Sequence, residues 1–243
     1  MKDLTDSHME MTQHFNDLGQ PIGKPVTGWS PPPYPSHKPM DGCYCRLEPL
    51  DSKRHVRALF ELNALDSKGQ NWTYLSDGPF SDLSDYRAWL DHHIKDSGSQ
   101  FYAIIDHRNG EPCGVASYLR ITPSSGSLEV GNIHFSNALK KTPAATEAMY
   151  LMMANAFELG YRRYEWKCDS LNASSRAAAE RLGFAFEGIF RQAMVYKGRN
   201  RDTAWYSVID TDWPSLRQKL EQWLDPSNFD DEGRQLTRLS QLT

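Results

Sequence analysis

The chain of 243 residues contains no run of 18 apolar residues, and its opening, MKDLTDSHME, contains no apolar segment. A membrane-spanning helix needs about 20 mostly apolar residues, and a secretory leader needs an apolar stretch of about 7–15. The expectation is therefore a cytoplasmic protein with no membrane partner. Cysteine is scarce. Cys43, Cys45, Cys113 and Cys168 form no CxxC pair and no repeated metal spacing, which argues against zinc ribbons and disulfide frameworks. Free, mostly buried thiols and no metal are expected. A basic excess is missing too: 27 Lys and Arg face 31 Asp and Glu, a formal net charge of -4. Proteins that coat nucleic acid are normally basic, so nucleic acid is not the expected partner. There is no internal repeat.

Proline, by contrast, is concentrated near the start. Residues 1–40 are polar and end in WSPPPYPSHKP, where Pro31, Pro32, Pro33 and Pro35 cannot join a helix or a central strand. This reads as an extended arm. Residues 41–224 read as one domain and 225–243 as a polar tail. CYCRLEPL, from Cys43, alternates like a strand. A helical spacing follows at Val56, Leu59 and Phe60, and another at Leu83, Tyr86, Leu90 and Ile94, capped by Ser81 or Asp82. FYAIID, CGVASYLRI and LEVGNIHF are strands separated by turn signals, an antiparallel meander. A long helix then starts at Pro143, with Ala145, Ala148, Met149, Met152, Ala156 and Leu159 on one face and Gly160 as its stop. YRRYEWKCD is a strand, Asn172 opens a second helix ending at Gly183, a hairpin turns around Arg199-Asn200, and 213–224 is a last helix. The predicted class is α+β: a mostly antiparallel mixed sheet with one parallel crossover through the long helix.

The start of that helix could hold an anion. With Pro143 as its first residue, Thr142 is the cap. The N–H groups of Ala144, Ala145 and Thr146 then point outward at the positive end of the helix dipole, beside Lys140 and Lys141. A well-capped core helix would look the same. Four pieces change the weighing: LEVGNIHF, ATEAM, NASSRAAAERLGFAFEG and FRQAMVYKGRNRDTAWYSVID. In that order and spacing they resemble the GNAT superfamily of acetyl-CoA-dependent N-acetyltransferases, and within it the ribosomal-protein N-terminal acetyltransferases. The resemblance covers about residues 43 to 224.

The resemblance implies a sheet with splayed strands and acetyl-CoA as co-substrate. It also implies direct transfer to a primary amine, either a protein N-terminus or a small molecule. It implies coenzyme contacts from Ile133, Phe135, Lys141, Thr142, Ala144, Ala145, Thr146, Asn172 and Ser175. A bulge in the 129–135 strand, permitted by Gly131, would present a backbone donor to the thioester carbonyl. Glu129 is the candidate base and His134 the runner-up; each could instead be an ordinary strand residue. The tyrosine that serves many relatives as acid is replaced by Ala179, and Ser175 maps to the serine of the ribosomal-protein branch. Two positions expected as glycine are Lys141 and Pro143, and Pro143 removes a donor. A GNAT-fold binding module without catalysis is therefore the first rival, and an RNA- or ribosome-associated factor using residues 197–201 the second. The KGRNRD tip and His92-His93 read as solvated surface. Asp66, Asp77, Asp82 and Asp85 read as turn and cap residues. A homodimer is left open.

Overall fold

The computed structural model describes residues 13–96 and 98–242. The chain divides into two units, one up to Ser30 and one from Pro31 onward. In the first, strands β1 (His14–Phe15) and β2 (Pro21–Ile22) make a small hairpin. The Asn16 carboxamide organises its turn by accepting from the Leu18 and Gln20 amides at 3.0 and 2.9 Å.

The second unit is built on β3 (Met40–Asp41), β4 (Cys45–Pro49), β5 (Ser99–Asp106), β6 (Glu111–Thr122), β7 (Ser127–Phe135), β8 (Arg163–Asp169), β9 (Ala185–Tyr196) and β10 (Arg199–Ile209). They form one sheet in the order β3-β4-β5-β6-β7-β8-β10-β9. Every pairing is antiparallel except β7 with β8, which the crossover helix α3 (Pro143–Glu158) connects. The α+β prediction and its single parallel crossover are observed.

One face of the sheet is covered by α1 (Ser52–Ala64) and α2 (Leu83–Lys95), over a core of Val56, Leu59, Trp72, Tyr86, Leu90 and Val115. The other face carries α3, α4 (Ala173–Arg181) and α5 (Trp213–Leu224), with Met149, Met152, Tyr118, Tyr164 and Tyr206 between helix and sheet. Asp51 caps α1 and Asp82 caps α2 through their side chains. Asp66 accepts from the Asn71 amide at 2.7 Å in the connecting loop.

Three local expectations change. On α2 the inward stripe runs Tyr86, Leu90, His93 rather than on to Ile94. The His93 ring packs 5.0 Å from Trp89 and 4.9 Å from Phe101, while Ile94 is exposed. A stripe at i, i+4, i+7 follows the 3.6-residue period more closely than one at i, i+4, i+8. The β9–β10 turn lies at Lys197-Gly198, both left-handed at φ 49° and 69°, as a two-residue hairpin turn requires. Arg199 and Asn200 are already strand. Residues after α5, read as a polar tail, bury Leu239 and set Phe229 edge-on to Tyr44 and Trp223.

α3 is anchored by a charge in the wrong place for an amphipathic helix. Glu147 is buried, and its carboxylate accepts from the amides of Cys43, Tyr44 and Cys45 at 2.6, 2.6 and 2.8 Å. A Cβ on Gly42 would stand 2.3 Å from Glu147 Cδ, so the loop closes on the carboxylate only because that residue is glycine. Removing the acceptor leaves three backbone donors without their charged partner. Glu147→Ala is expected to destabilise the fold by about 3 kcal/mol, read as a lowered urea midpoint with an unchanged m-value.

Candidate active site

The parallel pairing of β7 with β8 is short. It runs from Ser127 opposite Arg163 to Val130 opposite Trp166 and stops, although β7 continues to Phe135 and β8 to Asp169. Both strands stay bonded on their outer sides, β7 to β6 as far as Phe135 opposite Gly114 and β8 to β10 as far as Asp169 opposite Thr203. The sheet therefore splits between them. The facing backbone edges of 131–135 and 167–169 are strand edges without a strand partner, and such edges bind extended polar chains.

A bulge marks the split. Ser117 pairs with Gly131 and Val115 with His134, so β7 carries one more residue than β6. The left-handed residue is Asn132, at φ 49°, and not Gly131. Asparagine tolerates that region better than most side chains, and here its Nδ2 donates to Ser117 Oγ at 2.9 Å. Gly131 matters for space, since a Cβ there would lie 2.8 Å from Leu119 and 3.4 Å from Glu129 Oε1.

Glu129 is buried and accepts from Arg120 at 2.7 Å and Lys167 at 2.8 Å. Lys167 also bridges to Glu165 at 2.7 Å and stands 3.6 Å over the Trp205 ring. His134 is 4 % exposed, with its ring 4.1 Å from Trp72. Burial first, and then the Lys140 charge, push its pKa down to about 4, against a smaller opposing pull from Asp66. Its Nε2 is buried without a hydrogen-bond partner. Ile133 and Phe135 point to the α3 side of the sheet, partly buried against that core.

The α3 start narrows the expected anion cradle. Thr142 caps it, accepting from the Ala145 amide at 3.3 Å while its hydroxyl donates to the Leu139 carbonyl at 2.7 Å. The Thr146 amide falls in the first helical hydrogen bond, and its hydroxyl accepts from Arg181 at 3.0 Å. Ala144 retains an outward donor, and Ala145 shares its own with the cap. Lys140 turns away, its ammonium donating to Asn71 and Asn137. Lys141 is exposed and left-handed at φ 62°, a conformation that favours glycine.

At α4, Asn172 Oδ1 accepts from the Ser175 amide at 3.1 Å and from Ser174 Oγ at 2.9 Å. Ser175 Oγ accepts from Trp166 Nε1 at 3.0 Å, and its hydroxyl lies beside the Cys168 thiol at the point where the strands part. All four cysteines are free, and Cys168 is buried on β8. Among the described residues no group of three or more His, Cys, Asp or Glu side chains could hold a metal ion, and no helix is long and apolar enough to cross a membrane.

The sequence reading missed the mouth of the split. The 197–201 tip is not simply solvated: Lys197 Nζ donates to the Trp72 carbonyl at 2.9 Å and Arg199 Nη2 to the Thr73 carbonyl at 3.1 Å. Tyr74 donates to the Leu171 carbonyl at 3.1 Å, and Tyr196 to Asp169 Oδ2 at 2.8 Å. None of these pairs is closer than 27 positions in sequence, so no local pattern announces them.

This geometry can be set beside known proteins. The profile described as Acetyltransferase (GNAT) domain matches residues 45–185. The chain belongs to the GNAT acetyltransferase family. The crystal structure of a GCN5-related N-acetyltransferase from Brucella melitensis is 45% identical, with a TM-score of 0.86, over 88% of this chain and 98% of that one. The Bacillus subtilis protein YdaF, named as a ribosomal N-acetyltransferase, is 25% identical over 69% of this chain and 90% of its own length. An acetyltransferase from Salmonella typhimurium that modifies the N-terminal serine of ribosomal protein L7/L12 shares the fold, with a TM-score of 0.61 at 23% identity over 70% of this chain and 98% of that one.

Two measurements bear on this region. A histidine held at about 4, against an ordinary 6.5, is protonated first in the unfolded chain. Its contribution is complete above about pH 6.5 and is lost as pH falls toward 4. Urea titrations should show His134 accounting for about 3 kcal/mol of that loss, and His134→Phe should flatten the slope. At Lys141, glycine would relieve left-handed strain of about 1–2 kcal/mol at an unfolded-state entropy cost of about 0.4–1 kcal/mol. Lys141→Gly should therefore raise the urea midpoint slightly.

Proposed function

We propose that this GNAT protein transfers the acetyl group of acetyl-CoA directly to a primary amine, and that the acceptor is the free N-terminus of a polypeptide. The split between β7 and β8, opening beside the start of α3, carries the reading. On this reading the coenzyme pyrophosphate lies at the helix start, held by the Ala144 N–H, the helix dipole and the exposed Lys141 charge. Pantetheine follows the inner edge of β7, where residues 131–135 offer backbone groups no strand takes up. A backbone N–H of the bulge polarises the thioester carbonyl. Ser175 gives its proton to the leaving sulfur, having its oxygen already satisfied by Trp166.

The polypeptide acceptor draws support from the names of YdaF and of the Salmonella acetyltransferase. Glu129 fits the base role less well than its position suggests. Its Oε2 is already engaged by Arg120 and Lys167, at 2.7 and 2.8 Å. It is better suited to holding the two strands where they part.

The rival, a GNAT fold that binds a partner without catalysis, draws on Lys141 and Pro143. Calorimetry separates the two. Acetyl-CoA at 100 times its dissociation constant should stabilise the fold by about 2.7 kcal/mol, and a serine-initiated peptide should then gain 42 Da by mass spectrometry, roughly one acetyl group. No melting shift with millimolar acetyl-CoA sinks the enzyme reading.

A further inference from the structure

If Glu129 is spent on its ion pairs, another group must take the proton from the acceptor nitrogen. A chain of contacts circles one face of the split. The His134 ring on β7 lies against Trp72, whose carbonyl accepts from Lys197; the neighbouring Tyr196 donates to Asp169, the last residue of β8. The loop carrying Trp72 is tied a second time through Thr73 to Arg199 and a third time through Tyr74 to Leu171. β7, the α1–α2 loop, the β9–β10 hairpin and β8 thus surround the opening between the diverging strands. An acceptor amine reaching a thioester held in the split from this face passes inside the circle.

Two sets of polar groups lie on the circle. One is His134 Nε2, unpartnered but weakly basic. The other is the Tyr196 hydroxyl with the Asp169 carboxylate, 2.8 Å apart, on residues only 8 % and 4 % exposed. Asp169 Oδ1 accepts from the Leu171 amide at 2.8 Å. Among the described residues no cation stands within ion-pair distance of Asp169, in contrast to Glu129. Arg199 and Arg201 lie over the Tyr196 ring, 5.5 and 6.0 Å from its centroid, and the Cys168 thiol is the neighbouring titratable group on β8. Burial, then Asp169, raise the phenol pKa to about 12, so the phenol keeps its proton at neutral pH.

We infer that Tyr196 and Asp169 form a two-residue proton relay that serves as the general base of acetyl transfer. The inference rests on the acetyltransferase reading above. The acceptor arrives as its ammonium: one N–H proton passes to Tyr196 Oη while the phenol proton passes to Asp169 Oδ2, and the freed amine nitrogen bonds to the thioester carbonyl carbon. The C–S bond breaks, and the thiolate takes up a proton from Ser175, which is replenished by the proton the nitrogen then loses. Asp169 returns its proton to solvent, and the net products are the amide and the free thiol.

The test uses the full chain, acetyl-CoA and a serine-initiated peptide, with Tyr196→Phe, Asp169→Asn, the double variant and Glu129→Gln. Tyr196→Phe and Asp169→Asn should each lower kcat by about 10²-fold or more, with coenzyme affinity by calorimetry within twofold of the parent. The double variant should lose little further, because the two act as a unit. Glu129→Gln should retain more activity than either. The deficit should shrink as pH rises past that of a peptide α-amine, about 8, since an amine that arrives unprotonated needs less help. A structural role would give a deficit independent of pH. Full activity in Tyr196→Phe, or a pH-independent deficit in both single variants, overturns the relay. If the parent protein binds acetyl-CoA but acetylates neither the peptide nor a polyamine, the acetyltransferase reading falls and the relay with it.

Discussion

Lys167 lies between two carboxylates that the parallel register sets side by side. Glu129 on β7 stands opposite Glu165 on β8, and one residue further the strands separate. Two like charges opposed on neighbouring strands are destabilising. Here a single ammonium, 8 % exposed and 2.7–2.8 Å from both, turns the repulsion into a cross-strand clamp, and Trp205 covers it. The clamp acts where the sheet would otherwise unzip further or close. The split, its bulge and the mouth around it all depend on the divergence beginning there.

α3 is held from one side so that its start can be presented on the other. The Glu147 carboxylate, filled by three amides of the loop before β4, fixes the helix against the far edge of the sheet. Thr142 and Pro143 settle the first turn, and Leu139, fully buried, pins the loop that leads into it. Lys141 then adopts a glycine-like conformation with a long cationic side chain. The chain thus places an exposed charge at a left-handed position beside the helix start.

The face of the split opposite α3 is organised differently. Beyond the edge of α1 and α2 it is bounded by side chains reaching backbone carbonyls from a distance: Lys197 to Trp72, Arg199 to Thr73 and Tyr74 to Leu171. Such contacts are individually modest and partly exposed, and segments joined this way open more easily than core elements.

Much of this was legible from residue order. Pro143 and Gly160 delimit α3, Asp82 and Asn172 announce caps, and the alternation in FYAIID and LEVGNIHF gives strands, because these are local steric and hydrogen-bonding preferences that each segment satisfies by itself. The α+β class followed from the order of those segments, and the splay was what the family resemblance implied. Residue roles were less legible. Glu129 reads as a free carboxylate until Arg120 and Lys167 are placed beside it, and Thr146 reads as an anion donor until the helix takes its amide. His93 displaces Ile94 from the α2 stripe because Trp89 and Phe101 receive its ring. The Asp169–Tyr196 pair and the ties around Trp72 join residues 27 to 126 positions apart. Local pattern determined which elements form and in what order. Only the tertiary structure decided which charges are neutralised and which polar groups face the split, because both depend on neighbours brought together from distant parts of the chain.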